Sequence, residues 1–66
     1  MKLRENRLHR RIIVPSDDQR LAWNGSRWVP IDRDGISVSE LQSMEFVTVS
    51  EAAVYAASIG FEVEHG

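Results

Sequence analysis

Cysteine is absent from this 66-residue chain, which excludes a disulfide framework, a thiolate metal site and a cysteine nucleophile. That usage is compatible with a reducing compartment. Long apolar runs are missing too. Nothing approaches the roughly 18 consecutive apolar residues of a membrane span, and the basic N-terminus lacks the apolar stretch of a secretory signal. No membrane insertion and a cytoplasmic location are expected. Histidine is scarce: His9 and His65 lie at opposite ends, and neither has a second nitrogen or sulfur ligand at metal spacing. There is no glycine-rich phosphate loop. Lysine and arginine disappear after Arg33.

That last absence matters because of what stands before it. Residues 1–11 carry Lys2, Arg4, Arg7, Arg10 and Arg11 against Glu5, a balance of +4. Residues 12–66 carry Arg20, Arg27 and Arg33 against nine acids, a balance of −6. The chain is bipolar, a basic arm over residues 1–10 followed by an acidic single domain over 11–66. A chain this short has one small core near the lower limit for independent folding.

The pattern predicts an α+β domain: a small, mainly antiparallel sheet with one principal C-terminal helix packed on it. Arg11-Ile12-Ile13-Val14 is a strand by propensity, ended by Pro15. Leu21-Ala22-Trp23 and Arg27-Trp28-Val29 flank Asn24-Gly25-Ser26, a hairpin signal in which Asn-Gly supplies positive φ angles. Trp28 is expected in the core, and Trp23 is a candidate interface ring. Asp34-Gly35 marks a second turn. Ser37-x-x-Glu40 resembles a capping box and predicts a short helix through about Ser43. Phe46-Val47-Thr48 is extended, and Thr48-x-x-Glu51 is a second capping box, with Ser50 as a competing cap. The helix it opens runs to Ile59, where Gly60 provides the left-handed residue that ends it. Phe61-Glu62-Val63-Glu64 alternates apolar and charged as a half-buried strand does. The helix is apolar around most of its circumference, so it is either deeply covered or offers one face to a partner.

The chain carries no recognisable catalytic or metal-binding motif. Asp32-Arg33-Asp34-Gly35 resembles a calcium loop, yet Pro30 falls on its first ligand position and Leu41 on its bidentate glutamate. Asp17-Asp18 and Glu62-x-Glu64 pair carboxylates in places that usually serve solubility and edge protection. No serine–histidine–acid arrangement follows from this order. A catalytic role, a metal and a cofactor are therefore not expected. Thr48-Val49-Ser50-Glu51-Ala52-Ala53 resembles the opening of a helix-turn-helix, but the acids that follow would repel phosphate. Nucleic-acid binding is a third reading behind two kinds of protein binding.

Three pieces of the chain resemble the NADH dehydrogenase iron–sulfur protein 4 family, an accessory subunit of respiratory complex I. Arg11-Ile12-x-Val14-Pro15 is similar to its opening and Arg27-Trp28-Val29 to its Lys-Trp strand. Phe46, Glu51-Ala52, Tyr55-Ala56 and Gly60-Phe61 are similar to its closing pattern. The family's Gln-Ser-Gly after the first strand and its Pro-Leu-Met-Gly-Trp block have no counterpart here. The resemblance implies a non-enzymatic α+β module that docks onto a larger assembly, on the matrix side of an energy-transducing membrane. The alanine-rich helix followed by Gly60-Phe61-Glu62-Val63 is also similar to the end of the short phage inhibitors of bacterial RNA polymerase, which implies the alternative of an inhibitor binding a host enzyme. Either way the expected partner is a protein with a basic docking surface. The candidate interface residues are Glu62 and Glu64, which alternation places on one face, with Asp17, Asp18 and Trp23.

Overall fold

The computed structural model describes residues 1–63; Glu64 and His65 lie outside the described residues. Four short strands precede one helix: β1 (Lys2–Glu5), β2 (Arg11–Val14), β3 (Leu21–Trp23), β4 (Trp28–Pro30) and α1 (Val49–Ser58). β1 pairs antiparallel with β2, and β3 with β4. The domain is α+β, with two small antiparallel sheets and the helix packed on them.

β2 is the centre because it is buried on both faces. Ile12, Ile13 and Val14 are each at most 1% exposed. Side chains alternate along a strand, so Ile12 and Val14 share one face and Ile13 takes the other. The first face meets Ala22 and Ile31 from the second hairpin. The second faces α1, which packs on β1 and β2 and buries Ala52 and Ala56 against them. Alanines permit that close approach at a cost in buried area, so the helix adds little apolar volume to the core.

Both helix ends follow the sequence closely. Thr48 is extended (φ −125°, ψ 158°), and its Oγ1 accepts from the Glu51 N–H at 3.1 Å. Ser50 lies inside the helix and is not the cap. At the other end Ile59 is the cap residue and Gly60 takes φ +84°. Gly60 N–H reaches the Ala57 carbonyl at 3.1 Å, and Phe61 N–H reaches that of Ala56 at 2.9 Å. These two bonds make a Schellman motif, which satisfies carbonyls the last turn leaves free.

Four expectations need correction. Residues 1–10, expected as an arm, contribute β1, which lies in register from Lys2↔Val14 to Glu5↔Arg11. A four-residue strand rich in charge gave no apolar alternation, and its pairing comes from the turn that follows. The short helix after Ser37 does not form. Ser37 is drawn into a bridge with Ile31, and its Oγ accepts from the Ser39 N–H at 3.3 Å and donates to the Leu41 carbonyl. Such local side-chain bonds compete with a helix. Phe46-Val47-Thr48 reduces to a single bridge, Arg11↔Phe46. Residues 61–63 are not a strand: Phe61 N–H is spent on the helix cap at Ala56, and the Glu62 carbonyl accepts from the Met1 nitrogen.

The hairpin turn also differs in detail. Gly25 has φ +104°, but Asn24 does not take positive φ. Instead its Oδ1 accepts from Ser26 N–H at 2.8 Å and Arg27 N–H at 2.7 Å, closing a four-residue loop. Asn6 closes the β1–β2 turn in a similar way. It is 4% exposed, and its Oδ1 accepts from the N–H groups of Leu8 (2.9 Å) and Arg10 (3.1 Å) while its amide donates to Glu45. His9 in the same turn is left-handed at φ 62°, a region histidine tolerates better than most residues.

Gly35 approaches Asn6 so closely that an added Cβ would stand 2.8 Å from the Asn6 Cβ, whereas a Cβ on Gly60 would meet nothing within 4 Å. Both have positive φ, so Ala at either costs about 1–2 kcal/mol in backbone strain. The steric term exists only at Gly35. Urea unfolding is expected to find Gly35→Ala more destabilising than Gly60→Ala by at least about 1 kcal/mol. Equal losses would show that the Asn6 contact carries no weight.

Candidate functional site

The hairpin's register puts Ala22 opposite Val29, and Trp23 opposite Trp28. Ala22 and Val29 are buried on the inner face. Leu21, Trp23, Trp28 and Pro30 therefore form the outer face, and that face is apolar as well. The two indoles meet edge to face with centroids 5.2 Å apart, and Phe61 covers them, 5.1 Å from Trp23 and stacked 6.0 Å from Trp28. Trp28 was expected in the core, yet it is half-buried like Trp23. Strand alternation explains this, because the core side of the hairpin belongs to the smaller Ala22 and Val29.

From Trp23 the aromatic contacts continue onto the helix. Its Nε1–H donates to the Tyr55 hydroxyl at 3.1 Å, and Tyr55 packs on Phe46 at 5.4 Å. Phe61, Trp28, Trp23, Tyr55 and Phe46 thus form one continuous band, and all five rings are half-buried. The band ends in an open groove of about 500 Å³ lined by Phe46, Ser50, Glu51, Val54 and Tyr55. Residues 50, 51, 54 and 55 share one face of a helix by the i, i+4 spacing. Val54 lies 71% exposed on that face, and Val47 and Val49 at the helix entrance are also exposed. The sequence showed an apolar helix; it did not show which side stays uncovered. The buried stripe is Ala52 and Ala56, so the larger valine points outward.

The expected interface acids divide. Asp18 is committed to its own turn: its Oδ1 accepts from the Arg20 backbone N–H at 3.0 Å and from Arg20 Nε at 3.2 Å. The backbone bond first, then the guanidinium, holds its carboxyl below the usual value. Asp17 and Glu62 are exposed. The Met1 nitrogen donates to Ser16 Oγ and to the Glu62 carbonyl, each at 3.0 Å, which brings the Asp17 turn beside the Glu62 segment. Glu64 lies outside the described residues. The Asp32 carboxylate caps its own loop, accepting from the N–H groups of Asp34 (2.8 Å) and Ile36 (3.1 Å). Among the described residues no three His, Asp or Glu side chains are grouped to hold a metal ion, and no helix is long and apolar enough to cross a membrane. The helix-turn-helix likeness ends at α1, which is followed by the Phe61 segment rather than a second helix.

No family model, curated protein or solved structure matches the chain.

Two predictions follow from these contacts. Trp23→Phe and Tyr55→Phe each remove the indole–hydroxyl bond while keeping a ring. A double-mutant cycle is expected to give a coupling of about 1 kcal/mol, and a coupling near zero would remove the bond as a link between hairpin and helix. The other concerns acid. A hydrogen bond from Arg11, and then its charge, hold Glu5 below the usual 4.5. A carboxylate whose folded pKa is depressed adds stability above its unfolded pKa and loses it as pH falls through the folded value. Glu5→Gln is therefore expected to lower the urea midpoint at neutral pH and to converge with wild type as pH falls through the folded value of Glu5. A difference that persists unchanged into acid would contradict it.

Proposed function

We propose that the protein is a non-enzymatic protein-binding module that docks onto a larger assembly through the groove between Phe46 and α1. One observation carries this reading: Val54, in the middle of the only helix among the described residues, is 71% exposed beside an open apolar groove. A domain with so small a core gains more from burying a valine than from presenting it, and exposed apolar patches on small domains commonly mark interfaces. The aromatic band behind the groove supports it further. Tyr55 is held by Trp23 and packs on Phe46, so the groove walls are fixed before a partner arrives, which lowers the ordering cost of binding.

The accessory-subunit setting takes support from the resemblance to the iron–sulfur protein 4 family, and a phage-type inhibitor of a host enzyme is the same surface used differently. A photo-crosslinking residue placed at Val54 tests the reading in the cells that make the protein, with the exposed hairpin-tip Ser26 as control. Position 54 is expected to capture one protein that position 26 does not. The purified pair is then expected to lose at least about tenfold in affinity with Val54→Asp, which leaves the fold intact because surface changes of this kind stay within about 0.5 kcal/mol. Respiratory-chain subunits would favour the accessory role, and RNA polymerase or another enzyme the inhibitor role. Identical labelling from both positions, or unchanged affinity in Val54→Asp, would sink the proposal.

A further inference from the structure

We infer that the groove's occupant is an amphipathic helix with a basic flank, supplied by another protein. This rests on the protein-binding reading above and adds the form and charge of the partner.

The form follows from hydrogen bonds. A peptide that adds as a β-strand needs unpaired N–H and C=O groups along an edge. The groove offers no such row: its one free main-chain donor is the Ser50 N–H in the first turn of α1, which is a single group and not a strand edge. On one wall, Phe46 N–H and C=O are both spent on Arg11, at 2.8 and 2.7 Å. The other wall is α1, whose interior backbone groups bond within the helix. An occupant must therefore bring its own backbone bonds, and an α-helix does so while offering apolar side chains at i, i+3 and i+4. Phe46, Val54 and Tyr55 supply the apolar floor for them.

The charge follows from what lines the groove. Glu51 is its one charged residue, and no ion pair of Glu51 occurs among the described residues. Arg11, whose backbone pairs with Phe46, has its guanidinium on Glu5 at 2.6 Å. No lysine or arginine follows Arg33. A helix that buries apolar side chains here sets its flanking residues against a carboxylate that has no ion-pair partner and is offset only by the positive end of α1, which favours Lys or Arg over acids.

Three labelled 18-residue peptides with the same leucine face test this, their remaining positions being lysine, glutamine or glutamate, together with a scrambled form of the lysine peptide. Fluorescence anisotropy is expected to rank lysine above glutamine by about tenfold, with no binding of the glutamate peptide and weak binding of the scramble. Val54→Asp is expected to abolish binding. Glu51→Lys is expected to weaken the lysine peptide at least about fivefold and to admit the glutamate peptide, with circular dichroism unchanged. Equal binding of the scramble, or indifference to Glu51→Lys, overturns the basic helix. Glutamine and lysine peptides binding equally, and only with Val54 intact, overturns the charge while leaving the docking groove standing. Self-association through Val54 in sedimentation equilibrium makes the occupant a second copy, with the same consequence. Absence of any Val54-dependent binding overturns both readings.

Discussion

The buried side chain of Asn6 is the constraint on which the rest of the domain leans. Its carbonyl oxygen closes the β1–β2 turn through two backbone N–H groups, and its amide reaches Glu45, next to the residue that walls the groove. Gly35 abuts it from a third loop. One short polar side chain thus joins three loops that are far apart in sequence. Buried polar groups are costly when unpaired and specific when fully paired. Here no buried side-chain nitrogen or oxygen among the described residues lacks a partner. The loops can therefore be long relative to the strands without losing a single arrangement.

Around that pin the core is thin. β2 supplies three of the buried aliphatic side chains, and the rest are Ala22 and Val29 of the hairpin, Ile31 and two alanines of α1. The five aromatic rings stand outside this core, each half-buried, linked by ring contacts and by the Trp23–Tyr55 hydrogen bond. Ring pairs in such geometries contribute beyond their buried area. Rings that stiffen a half-open face create a surface already shaped, whereas rings sealed in the core would have left the outside to flexible side chains.

Much of this was legible in the residues. Thr48, Glu51 and Gly60 announced the helix through local backbone chemistry, and Arg11–Val14 and the Trp23–Trp28 hairpin announced theirs through propensity and turn residues. What stayed hidden depended on partners distant in sequence. Lys2–Glu5 is a strand because Asn6 turns the chain back, and Ser37 forgoes a helix because Ile31 claims it for a bridge. The groove was half visible: an apolar helix could be seen, but its open side depends on Ala52 and Ala56 facing the sheet. The closing residues that stood out in the sequence fall largely on fold positions. Ala52 and Ala56 are buried, Gly60 is left-handed, and Phe61 completes the helix cap.

The contact between Gly35 and Asn6 also limits how this chain can diverge. Any side chain at position 35 collides with the one at position 6, and a smaller residue at position 6 abandons the bonds that close a turn and hold Glu45. Neither position can change without a loss, and a change at one does not release the other. Exchanging Asn6 for a smaller side chain would not open room at position 35, because the clash is with the Cβ that every residue but glycine carries and with the Cα behind it; the demand for glycine there outlasts any change at position 6.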